Sequence, residues 1–200
     1  MERRDADPGY RLTADSVKIL AHPLRTRLLS ELHRGGPATA TTLAAALGTH
    51  TGATSYHLRR MAEAGLVVDT GQGTGRRRLW RAASSAHAWA PSDFDDDADA
   101  GAALAWVLRD YRREFDEQYA QWLDREGDWP AEWRDATGMS SHKLVLTPAR
   151  LRALAEEMEQ LLERYQHEHA EAPDTDRARR VAVWQFAFPV PGEISLGGDS

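Results

Sequence analysis

The 200-residue chain predicts a mainly α fold with small β elements, an α+β class, on three observations. Apolar residues recur at helical spacing through Leu12–Leu32, Ala98–Arg125 and the segment opened by Thr147-Pro148. Two short apolar runs flank the glycine-rich stretch Gly71–Gly75, as in a hairpin. An apolar share of 42% beside 28% charged residues suits a globular chain and argues against wholesale disorder.

The first periodic segment, Leu12 to Leu32, places Val17, Leu20, Leu24, Leu28, Leu29 and Leu32 on one stripe. Thr13 or Asp15 can cap its start, and Pro23 should bend or divide it. Gly35-Gly36-Pro37 ends it. An alanine-rich helix over Thr41–Leu47 stops at Gly48, and a third helix runs from Thr51 to Ala64 and stops at Gly65. Leu66-Val67-Val68 and Arg78-Leu79-Trp80-Arg81 then read as two strands. Helix, helix, short turn, helix and hairpin is the order of a winged helix-turn-helix. Its core is expected from Leu43, Leu47, Thr54, Leu58, Met61 and Leu66.

Residues 84–97 show no clear period and hold Pro91 and Asp93-Phe94-Asp95-Asp96-Asp97, so they read as an acidic linker. The helix over Ala98–Arg125 spaces Leu104, Leu108, Tyr111, Phe115, Gln118 and Trp122 by fours and threes, close to a coiled-coil seam. A loop is expected around Trp129, Pro130 and Trp133, and a short strand over Lys143–Leu146. Thr147 supplies a cap and Pro148 a first-turn proline for a helix reaching His169. Val181–Phe188 alternates as a strand, and the glycine-rich tail from Pro189 reads as a mobile end. The expected organisation is a 1–83 DNA-binding domain, an 84–97 linker, and a 98–200 domain for dimerisation and effector binding.

Charge divides along the same line. Residues 1–83 hold 13 basic and 7 acidic side chains, a balance of +6, while the remainder holds 12 and 24, a balance of −12. A basic module points to a polyanion partner, although solvation of both surfaces would produce the same split. Cysteine is absent, which removes disulfides and thiolate metal sites and fits a reducing cytoplasm. No apolar run reaches the length of a membrane span, and no signal core follows the N-terminus.

A recognition helix fits the major groove and reads base edges from its first turn. The candidates here are His50, Thr51, Gly52, Ser55 and Tyr56, with Arg59 and Arg60 one turn on for phosphates. Tyr56 and His57 can instead pack against the module, and Thr54 reads as core. The wing candidates are Arg76, Arg77 and Arg78; strand alternation would put Arg76 and Arg78 on one face and Arg77 on the other. The glycine run lacks the lysine and strand-to-helix setting of a phosphate-binding nucleotide loop.

Leu20-Ala21-His22-Pro23-Leu24-Arg25-Thr26-Arg27-Leu28-Leu29 resembles the first-helix signature of ArsR-type bacterial repressors. Thr54-Ser55-Tyr56-His57-Leu58-Arg59-Arg60-Met61-Ala62-Glu63-Ala64-Gly65-Leu66-Val67 resembles that family's recognition helix running into its wing. The resemblance spans residues 12–83 and implies a homodimer that represses transcription until an effector releases it. Metal-sensing members use cysteines near the first or second helix, or His and acidic pairs on the last helix. This chain has no cysteine, and Ala98–Arg125 contains no histidine.

No metal and no cofactor are expected. His167 and His169 sit two apart on a helix, about 200° from one another, and cannot easily share an ion. The seven tryptophans could line a cavity for an apolar or aromatic effector, or more plainly fill a core and a dimer interface. The dimer seam is expected at Leu104, Leu108, Tyr111, Phe115 and Trp122. No convergent catalytic set stands out, so an enzyme is not expected. The rival to a homodimeric regulator of double-stranded DNA is a winged helix that binds only protein.

Overall fold

Thr13 opens the first helix with a reciprocal capping box: its side chain accepts from the Ser16 amide, and Ser16 returns a bond to the Thr13 backbone. The computed structural model describes residues 10–73, 77–84, 87–170 and 178–191. Helix α1 (Ala14–Leu20) buries Val17 and Leu20 and ends before Pro23, which starts α2 (Pro23–Gly35) as its first residue. Pro23 therefore divides the segment. Its missing N–H is harmless at a helix start, and His22 Nδ1 accepts the Leu24 amide at 3.1 Å. Helix α2 buries Thr26, Leu28, Leu29 and Leu32 and terminates where Gly36 turns left-handed, at φ 73°.

Helix α3 (Ala40–Ala46) is capped by Thr39, whose hydroxyl accepts the Thr42 amide. The turn through Gly48 leads to α4 (Thr51–Glu63), which buries Thr54, Leu58 and Met61. The short strands β1 (Tyr10–Arg11) and β2 (Ala38–Thr39) precede α1 and α3; β3 (Val67–Asp69), β4 (Leu79–Ala82) and β5 (His87–Ala88) follow α4. Strands β2, β4 and β3 form one antiparallel sheet in that order, with Ala38 opposite Trp80 and Val68 opposite Arg81. Strand β1 pairs with β5 in parallel. Helix–turn–helix plus hairpin is thus a winged helix-turn-helix, mostly helical with a small sheet.

Residues 84–97 are more than a linker. They contain β5 and a 3-10 turn over Pro91–Phe94, and Phe94 is buried. Helix α5 (Ala98–Arg125) then lays Ala100, Leu104 and Val107 into the core shared with Leu20, Leu28, Leu29, Leu58 and Met61. The compact units accordingly divide at Asp124/Arg125, not near residues 84–97. Alternation at helical spacing identified the face of α5 that is apolar, but not the surface it meets.

The second unit, residues 125–200, carries the short α6 (Ala131–Ala136) and the long α7 (Pro148–Ala170). None of its described residues is buried. Lys143–Leu146 and Val181–Phe188 belong to no sheet among the described residues, so neither expected strand forms there. Alternation specifies a strand's faces, whereas a ladder also requires a neighbour to take its backbone groups. Trp184 and Phe186 stack with near-parallel rings. Part of the tail, residues 192–200, and the side chains of His167 and His169 lie outside the described residues.

Candidate nucleic-acid interface

Helix α4 is buried on one side only. At about 100° per residue, Thr54, Leu58 and Met61 share the inner face, which leaves Gly52, Tyr56 and Arg59 on the outer ridge. Tyr56 is 53% exposed there. His50 is the N-cap but makes no side-chain capping bond, so the first amides of α4 have no side-chain acceptor from it. A Cβ at Gly52 would meet nothing within 4 Å, so the chain itself does not require glycine at this position. Thr54 is fully buried, which makes it core and not a base contact. His57 turns inward, its ring 4.5 Å from that of His22.

Thr51, Ser55 and Arg59 lie on the flank of α4 that faces the wing. With Thr39, Thr41, Arg77, Arg78 and Trp80 they line a shallow cleft of about 200 Å³. Hydroxyls and guanidinium groups dominate its walls, and no carboxylate is among its lining residues. The set is suited to an anionic oxygen. Arg78 leans over the Trp80 ring at 5.9 Å and stands 3.5 Å from Asp69. That ion pair is largely exposed and therefore weak enough to be exchanged for another anion.

The wing begins with an Asx turn. Asp69 Oδ1 accepts the Gly71 amide at 3.0 Å, and Gly71 takes φ 71°. Gly73 approaches the Arg77 carbonyl so closely that any Cβ would overlap it. Arg77 and Arg78 precede β4 and line the same cleft, so the expected alternation does not separate them. Period two applies only within a strand. Arg76 lies outside the described residues.

Of the expected contact residues, Thr51, Ser55, Arg59, Arg77 and Arg78 converge on the cleft; Gly52 and Tyr56 lie on the adjoining ridge. Arg60 is exposed on the far flank and pairs with Glu63 at 2.6 Å. Thr39 and Thr41 were missed. Their signal was the Thr-rich start of the second helix, which reads first as a cap. In the expected dimer seam, Leu104 is 5% exposed within its own chain's core and Tyr111 packs against that core. Both lie on the side of α5 that packs against the chain's own core. Leu108 is 38% exposed. Phe115 stacks on Tyr119, and Trp122 is half-buried.

A family model described as a helix-turn-helix domain matches residues 20–70. Residues 20–70 are a helix-turn-helix domain. The helix-turn-helix match covers α2 to α4 and runs just past β3. Among solved structures, a homodimeric winged helix-turn-helix DNA-binding domain from Mycobacterium bovis, a possible ArsR-family transcriptional regulator, is 28% identical. That match covers 36% of this chain and 63% of the other, so under two thirds of its length is spanned, with a TM-score of 0.32. A possible transcriptional regulator for arsenical resistance is 31% identical over 62% of this chain and 98% of its own, with a TM-score of 0.31. A Mycobacterium tuberculosis protein is 17% identical over 75% and 81% of the two chains, with a TM-score of 0.28. No curated protein matches the chain. The helix-turn-helix match falls within residues 12–83, the span of the sequence resemblance to ArsR-type regulators.

Proposed function

We propose that the chain is an ArsR-type transcription regulator that binds double-stranded DNA through its helix-turn-helix domain and wing. The observation that carries this reading is one convergence: the exposed ridge of α4 adjoins a hydroxyl- and guanidinium-lined cleft shared with the wing. In the bound state α4 enters the major groove. His50, Thr51, Gly52, Ser55 and Tyr56 face base edges and sugars, and the arginines Arg59, Arg76, Arg77 and Arg78 bind phosphates. Direct readout is modest, because the first turn of α4 holds no Arg, Asn or Gln for bidentate base recognition.

The regulator acts as a homodimer and repressor. The homodimeric state of the M. bovis relative supports the first point. Leu108, Phe115 and Trp122 of α5 form the dimer contact, beside Leu104 and Tyr111 on the same helical stripe, and the half-site recognition helices then lie about 34 Å apart. Residues 98–200 serve dimerisation and take an apolar or aromatic effector, not a thiolate-bound metal. The protein works in the cytoplasm and is not an enzyme. No described helix is long and apolar enough to cross a membrane.

The test is duplex binding by fluorescence anisotropy across a salt series. Replacing Arg76, Arg77 and Arg78 together by alanine should flatten the log Kd against log salt slope by up to about 2.7, about 0.9 for each lost phosphate contact. Absence of salt-dependent duplex binding by the natural protein would favour the rival, a winged helix that contacts only protein.

A further inference from the structure

A helix seated in the major groove runs between two phosphate strands, but the wing cleft meets only one of them. Thr51, Ser55 and Arg59 define the wing side of α4. His57 and Arg60 lie two and five residues beyond Ser55, about 160° and 140° away around the helix axis. They therefore occupy the opposite flank. The start of α2 meets them there: the His22 and His57 rings are 4.5 Å apart, and Arg25 is close enough to Tyr56, His57 and Arg60 for its charge to act on them.

Arg25 is half-buried and incompletely satisfied. One terminal nitrogen donates to the Ile19 carbonyl, while its buried Nε has no partner. It has no ion pair among the described residues. Of the groups gathered on this flank, Arg25 and Arg60 are cationic, the rings of His22 and His57 pack against one another, and Tyr56 adds a hydroxyl. The one carboxylate is Glu63, joined to Arg60 through an exposed pair. Such a pair is worth at most about 1 kcal/mol and gives way to a phosphate. The other terminal nitrogen of Arg25 carries no bond among the described residues and is not buried, and a guanidinium N–H there can donate to a phosphate oxygen.

We infer that Arg25, together with Arg60, is the second phosphate anchor, gripping the strand across the groove from the strand held by the wing. The major groove is about 12 Å wide, close to the 10–12 Å diameter of a helix with its side chains, so groups on both flanks of α4 reach its two edges. The inference rests on the proposed DNA-binding function and adds a contact from α2, outside the recognition helix and the wing. Arg25 acts from a helix whose position is fixed by the core. It thereby sets how far α4 rolls in the groove.

The experiment uses the full chain and a labelled mixed-sequence duplex of about 30 base pairs, roughly three helical turns. Arg25→Gln should lower the log Kd against log salt slope by about 0.9, and Arg25→Lys should largely restore it. A residue that only ties down the Ile19 carbonyl would shift the melting temperature and leave the slope unchanged in both variants; that outcome overturns the inference. Should Arg25→Gln fail to fold, Arg60→Gln on the exposed surface decides: a slope lowered by about 0.9 supports the second anchor, and an unchanged slope overturns it. Failure of the two readings is distinguishable. Loss of slope in the wing variant alone removes only the second anchor, whereas no salt-dependent binding by the natural protein removes both.

Discussion

Thr26 of α2 donates its hydroxyl to the Asp110 carboxylate of α5 across 2.6 Å, and Asp110 is only 8% exposed. Arg113 holds the other carboxylate oxygen, and one turn on Ser30 donates to Glu114 at 2.7 Å. These bonds pin the long helix to the module that carries the recognition helix. They explain why α5 lies in the first unit and not in a separate C-terminal domain. A dimer contact made through α5 would therefore be coupled to the spacing of the two DNA-reading helices.

Asp110→Ala should destabilise the first unit by about 1 kcal/mol, since it removes the bond that ties Thr26 to α5 and leaves the Thr26 hydroxyl to the Pro23 carbonyl at 3.1 Å within its own helix. Urea unfolding checks this. A change below about 0.5 kcal/mol, the range of an ordinary surface substitution, would show that the apolar face of α5 suffices to dock it.

Thr54→Val should raise stability by about 1 kcal/mol and leave duplex binding unchanged. The Thr54 hydroxyl is buried without a hydrogen-bond partner, and a buried polar group without one is unfavourable. Thermal melting and anisotropy on the same samples separate the two effects. Weakened DNA binding in a more stable variant would mean that Thr54 reaches the duplex after all.

Acid should destabilise the fold over the histidine range. His22, His33 and His57 all have pKa values pushed below that of a free histidine, mainly because burial disfavours the charged ring. The neighbouring Arg25 adds to the effect at His22 and His57, whereas Glu114 opposes it at His33. The unfolded chain then binds protons first, below about pH 6.5. The stability contributed by the neutral rings is complete above that pH and is lost as pH falls through the folded-state values. Melting temperatures measured from about pH 7.5 to about 5.5 should decline. A flat or rising profile would contradict the assignment of these rings as neutral and packed.

The sequence by itself determined the local elements of the first unit. Thr13, Pro23, Gly36, Gly48 and Gly65 act within a few residues of themselves, so caps, breaks and turns were legible from their spacing. The apolar positions Leu43, Leu58, Met61 and Leu66 were legible because a single inner face recurs along each helix. Tertiary structure alone decided which surfaces those elements meet. The apolar stripe of α5 reads as a seam between two chains, and only the tertiary structure shows that Ala100, Leu104 and Val107 also pack on the chain's own module. Val181–Phe188 has the pattern of a strand but no ladder among the described residues, since a ladder depends on a neighbour that no local pattern specifies. Arg25 and His57, 32 positions apart in the chain, share one flank of α4 only because α2 crosses it. Local propensity acts over a helical turn, and contacts between distant segments depend on how whole faces pack.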